Sequence, residues 1–94
     1  MSEPAVVDNP DAHRYELHID GELAELVYER DGNRVKLVHT GVPESLNGRG
    51  LGGKLVAAAL ADAKRRGDTI VPECPFARSW LERHPDETQG VTIE

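Results

Sequence analysis

The stretch Gly48-Arg49-Gly50-Leu51-Gly52-Gly53-Lys54 places four glycines between positions 48 and 53, then runs without a break into Leu55-Val56-Ala57-Ala58-Ala59-Leu60. From Gly50 to Arg66 the apolar residues Leu51, Leu55, Val56, Ala59, Leu60 and Ala63 recur at the spacing of one helix face, which predicts an amphipathic helix. Lys64, Arg65 and Arg66 suit the negative end of its dipole, and Gly67 is a natural stop. The glycines therefore sit at the helix N-terminus. There the first backbone N–H groups have no intrahelical acceptor, and the dipole favours an anion. Glycine also leaves no Cβ between that backbone and an approaching pyrophosphate.

Outward from this turn the pattern changes. Upstream, Tyr15, Leu17 and Ile19 alternate with Glu16 and His18, the period of a half-buried strand. Asp20-Gly21 is a two-residue hairpin signal, and Ala24, Leu26 and Tyr28 carry a second strand to Arg30. Asp31-Gly32-Asn33 turns the chain again, and a third strand runs from Arg34 to Thr40 through Val35, Leu37 and Val38. Downstream, Thr69–Glu73 is a short β-prone run in which Pro72 points to a sheet edge, a bulge or a splayed strand. Pro75 then opens a second helix through Phe76, Trp80 and Leu81, ending near His84-Pro85. Val91 and Ile93 fit either a tail or a short strand, and residues 1–12, with Pro4 and Pro10, are expected to be a flexible tail. The expected architecture is α/β of the α+β kind: a three-stranded antiparallel meander, a helix, a fourth strand parallel to the third, and a C-terminal helix, in one domain over residues 13–94.

A chain of 94 residues buries about two-thirds of its unfolded surface, enough for one two-layer core. Seventeen acidic against eleven basic residues give a net charge of −6, which argues against bulk binding to nucleic acid or to an anionic membrane. No apolar run approaches the roughly 20 residues of a membrane span, and the N-terminus lacks a secretory pattern. Cys74 is the single cysteine, so no internal disulfide forms, and the four scattered histidines lack metal-ligand spacing. Together these features give the expectation of a cytoplasmic protein without a metal. The oligomeric state is not legible in the sequence.

Three phosphate-binding patterns fit the glycine turn to different degrees. As a Walker A loop it lacks the Ser or Thr that holds Mg²⁺, because Leu55 follows Lys54. As a dinucleotide fingerprint it has the wrong context: loop residues separate it from the preceding strand, and Asp68 comes before the next strand rather than after it. The third pattern fits. Asn47-Gly48-Arg49-Gly50-Leu51-Gly52, preceded by Val42-Pro43-Glu44-Ser45-Leu46, resembles the acetyl-CoA pyrophosphate loop of the GNAT superfamily of N-acetyltransferases. That superfamily has Arg or Gln, two residues, Gly, one residue, then Gly or Ala, and here Asn47 takes the place of Arg or Gln. His39-Thr40-x-Val42-Pro43, Cys74-Pro75-Phe76 and Arg83-His84-Pro85 extend the resemblance over residues 13–86 to the small single-domain YjdJ-type branch. Gly41 stands where that branch usually has Glu, so any role of a carboxylate at that position is missing.

The resemblance implies a minimal GNAT-like fold, acetyl-CoA as cofactor, and an acetyl transfer to an amine of a small molecule, peptide or protein. It implies cofactor contacts from Thr40, Val42, Asn47, Gly48, Arg49, Gly50, Leu51, Gly52, Gly53, Lys54 and Pro75. Cys74 and His39, at the ends of the fourth and third strands, are expected to flank the gap where the pantetheine arm enters. There a Cys–His pair can activate the thiol, or His39 can deprotonate the amine. Buried packing is the plain alternative for Cys74, and a half-exposed strand end for His39. A non-catalytic acyl-CoA-binding module and an acidic interaction domain without ligand are the competing functions.

Overall fold

The computed structural model of the chain describes residues 5–94, and in it the alternating segments pair in the order in which they occur. Strands β1 (Val7–Asn9), β2 (Arg14–Ile19), β3 (Glu22–Asp31) and β4 (Arg34–Gly41) form an antiparallel meander. The two-residue hairpin turn Asp20-Gly21 is that of the sequence: both residues take positive φ, 54° and 75°, between β2 and β3. Helix α1 (Leu51–Arg66) carries the chain over one face of the sheet, and β5 (Thr69–Pro72) returns parallel to β4. Helix α2 (Pro75–Arg83) and a two-residue strand β6 (Thr92–Ile93), parallel to β5, complete the mixed six-stranded sheet.

Two expectations change. Residues 1–12 do not form a tail throughout: Val7–Asn9 adds a strand to β2, and Pro10–Ala12 is a 3-10 turn capped by the Asn9 side chain. Residues 1–4 of that expected tail lie outside the described residues. Pro72 also does not mark the sheet edge, because β6 lies beyond β5. It sits where pairing has run out, since β6 reaches only Thr69 and Ile70, so its missing N–H disrupts nothing on that side.

Tyr15, Leu17, Ala24, Leu26, Tyr28, Val35, Leu37 and Ile70 point from the sheet into one core against Leu55, Val56, Ala59, Leu60 and Ala63 of α1. Two phenols stitch the edges of this layer. The Tyr15 hydroxyl donates to Asp62 of α1 at 2.8 Å, and the Tyr28 hydroxyl to Asp8 of β1 at 2.6 Å. Burial and those carboxylates raise both phenol pKa values, that of Tyr28 to about 12. Among the described residues, no helix is long and apolar enough to cross a membrane, and no cluster of His, Cys, Asp and Glu could hold a metal ion.

One irregularity positions everything that follows. Tyr28 pairs with Leu37 but Val27 pairs with His39, so Val38 is an extra residue in β4, a β-bulge. Side-chain alternation reverses there. Val35 and Leu37 face the core before the bulge. After it Thr40, opposite the core residue Leu26, faces the helix side, and His39, opposite Val27, faces away.

Candidate functional site

Pairing between β4 and β5 stops at Leu37 and Pro72, and the amides of Glu73 and Cys74 both donate to the Leu37 carbonyl as the chain turns into α2. Val38–Gly41 therefore have no strand partner on that side, and the two strands part. A cleft of about 410 Å³ opens at this point on the helix side of the sheet. Thr40 and Val42 form one wall, the turn residues Asn47, Gly48, Gly50, Leu51, Gly52 and Gly53 another, and Leu46 and Phe76 the rest.

The glycine turn performs two jobs. Gly48 and Gly50 take positive φ, 85° and 72°, and a Cβ on either would meet nothing within 4 Å, so open space lies in front of this backbone. Gly52 and Gly53 instead lie in the first turn of α1 against α2. A Cβ at Gly52 would come within 2.7 Å of the Phe76 ring, and one at Gly53 within 2.5 Å of Trp80 Nε1. These two glycines let the helices approach, while Gly48 and Gly50 keep open the space in front of the turn.

Among the described residues, no protein acceptor meets the backbone N–H groups from Gly48 to Gly53. The neighbouring amides are engaged: Leu46 and Asn47 donate to Pro43 and Glu44, and Lys54 to Gly50. No side chain caps α1. A run of free donors at a helix N-terminus is an anion cradle, and a pyrophosphate supplies the acceptors it lacks. The residues present thus fit the phosphates of a CoA ester.

Eight of the eleven expected cofactor contacts line the cleft: Thr40, Val42, Asn47, Gly48, Gly50, Leu51, Gly52 and Gly53. Arg49, Lys54 and Pro75 are not in its walls. The Arg49 guanidinium reaches across to Asp20 at 3.2 Å, Lys54 lies further along α1, and Pro75 starts α2. Leu46 and Phe76 line the cleft and were absent from the expected set. Leu46 is the one apolar residue of the polar loop Glu44-Ser45-Leu46-Asn47, and Phe76 is the only phenylalanine and is 39% exposed.

The structure does not bring Cys74 and His39 together. Cys74 is buried, and its Sγ lies 3.3 Å from the Thr40 hydroxyl. His39 is exposed on the opposite face of β4, as the bulge dictates. The Cys74 thiol pKa falls below its ordinary value. Burial raises it, but the Thr40 hydroxyl and the amide dipoles of Ala77, Phe76 and Thr40 outweigh burial, although no side-chain hydrogen bond caps α2. The thiolate is thus favoured by Thr40 and the start of α2, with no imidazole involved.

Comparison with known proteins gives a consistent placement. Residues 14–91 match the GCN5-related N-acetyltransferase family. A solution NMR structure of a GCN5-like N-acetyltransferase candidate from Staphylococcus aureus is similar over 100% of this chain and 93% of its own, with a TM-score of 0.75 and 28% identity.

Proposed function

The chain belongs to the GCN5-related N-acetyltransferase family, and from that premise we propose that it transfers an acetyl group from acetyl-CoA to a primary amine. The observation that carries the cofactor is the run of unpartnered amides from Gly48 to Gly53, opening onto the cleft between α1 and β4. Gly48 to Gly53 would hold the pyrophosphate, and Thr40, Val42, Leu46 and Phe76 would flank the pantetheine arm. Acetyl-CoA, when bound, supplies an activated thioester carbonyl. The chain's part is to fix that ester along the unpaired edge of β4, exclude water with Leu46 and Phe76, and admit the amine.

Calorimetric titration with acetyl-CoA tests the binding half, and release of the CoA thiol over a panel of primary amines tests the transfer. Saturable binding with amide shifts at Gly48–Gly53 in a ¹⁵N spectrum is expected; its absence would refute the assignment. A binding module without turnover is the second reading, favoured by the separation of Cys74 from His39. It predicts tight acetyl-CoA binding and no thiol release with any amine.

A further inference from the structure

The face of the sheet away from the helices carries a connected polar network. Glu16, itself buried, accepts from Arg14 Nε at 2.6 Å and from Asn9 Nδ2 at 3.0 Å, and its other oxygen lies 3.0 Å from His18 Nε2. Arg14 extends the network by donating through Nη1 to Glu25 Oε1 at 3.0 Å. That contact orients the Glu25 carboxylate and leaves Oε2 without a hydrogen-bond donor among the described residues. The Glu25 side chain lies beside Gly41, the residue opposite it in the β3–β4 register. A Cβ at Gly41 would lie 3.5 Å from Glu25 Oε2 and 3.3 Å from His39 Nε2. The absent side chain thus leaves a notch bordered by a carboxylate and an imidazole.

This notch lies on the stretch of β4 that has lost its β5 partner. Thr40 borders the cofactor cleft from the helix side, and its neighbours His39 and Gly41 face the other way. A group bound along this edge is therefore reachable from both faces. We propose that Glu25 and His39 form the acceptor site, taking a primary amine as its ammonium ion from the face opposite the cofactor. Glu25 Oε2 accepts a hydrogen bond from the ammonium, and the pair removes one proton and passes it to solvent. The nitrogen lone pair then forms the N–C bond as the thioester C–S bond breaks, and a second N–H proton ends on the departing sulfur. The inference rests on the transferase reading and names its acceptor as a cationic amine.

The test is a ¹⁵N NMR titration of the full chain with butylamine, putrescine and a lysine-containing peptide, alongside thiol-release kinetics. Amide shifts centred on Glu25, His39 and Gly41 are expected without acetyl-CoA. Glu25→Gln is expected to weaken amine binding and raise the amine KM about tenfold, with acetyl-CoA affinity unchanged. The double variant Glu25→Gln/Gly41→Glu returns a carboxylate to the notch from the opposite strand and is expected to recover most of that loss. The φ of Gly41 lies outside the left-handed region, so a side chain there needs only the His39 ring, 3.3 Å from the new Cβ, to give by a few tenths of an ångström. Retained acetyl-CoA binding with no amine-dependent shifts at these residues, or with unaltered amine kinetics in Glu25→Gln, would overturn this inference alone. Loss in the single variant without recovery in the double would assign Glu25 a merely structural role and overturn it too. A wild type that does not bind acetyl-CoA would overturn the transferase reading, and this inference with it.

Discussion

Gly53→Ala isolates the packing role of the glycine turn from the anion-binding role proposed for it. The new Cβ would lie 2.5 Å from Trp80 Nε1, closer than real contacts allow. Trp80 is 9% exposed and stacks on His84 with ring centroids 4.1 Å apart, so it cannot swing aside freely. Overpacking of this kind costs about 1 to 3 kcal/mol, while replacing a helical glycine by alanine returns up to about 1 kcal/mol of propensity. The net expectation is a loss of about 1.5 kcal/mol, or roughly 6 to 12 °C in melting temperature for a domain of this size. Gly52→Ala provides the contrast. Its Cβ meets the tip of the Phe76 ring at 2.7 Å, but Phe76 is 39% exposed and its ring can rotate outward. There the propensity gain offsets most of the clash, and the melting temperature stays within a few degrees of wild type. Thermal unfolding followed by circular dichroism measures both. A Gly53→Ala protein melting at or above wild type, or one no less stable than Gly52→Ala, would refute the packing argument.

Gly50→Glu, in contrast, meets no protein atom and is expected to keep the fold at a strain cost of about 1 kcal/mol from its left-handed φ, while abolishing acetyl-CoA binding in a calorimetric titration. The Glu16 carboxyl is held down to about 2 by hydrogen bonds from His18, Arg14 and Asn9. A depressed folded-state pKa gives stability that is present above the unfolded value of about 4.3 and is lost as pH falls toward 2. Urea midpoints should therefore drop across that window, and Glu16→Gln should flatten the drop; an identical acid limb in the variant would exclude this network as its source. Cys74, thiolate-favouring but buried, is expected to react slowly with iodoacetamide, to gain rate at a lower pH than a free thiol, and to slow further with acetyl-CoA. Mass spectrometry of the labelled peptide checks this, and a rate indifferent to acetyl-CoA would place the thiol away from the ester.

Much of this arrangement is legible in the residues, and the exceptions have identifiable causes. The hairpin at Asp20-Gly21 and the helix from Leu51 to Arg66 follow from local chemistry, since φ > 0 turns and a 3.6-residue apolar stripe leave few alternatives. Strand β1 is not legible. Val7-Asp8-Asn9 has no apolar alternation, and its place comes from tertiary partners: Asp8 takes the Tyr28 hydroxyl and Asn9 donates to Glu16. The division of labour among the four glycines is also hidden, because it depends on Phe76 and Trp80, more than twenty residues away in the chain.

The bulge at Val38 is the deepest of these gaps, because it decides which chemistry the site can perform. Simple alternation from Val35 and Leu37 puts His39 on the core side, beside Cys74, which makes a Cys–His pair look natural. One extra residue reverses that parity, and nothing in the run Val35-Lys36-Leu37-Val38 distinguishes a bulged strand from a regular one. The same reversal places Thr40 against the Cys74 sulfur and turns His39 toward Glu25 and the Gly41 notch. It coincides with the end of β4–β5 pairing at Pro72, so β4 changes its facing where its edge becomes free. A strand that parted without reversing would present His39 to the cofactor side and leave the far face to Thr40, which cannot draw a proton from an ammonium ion at neutral pH. The bulge and the proline together therefore separate the two ends of the proposed site: thiol, hydroxyl and amide cradle on the helix side, imidazole and carboxylate on the other.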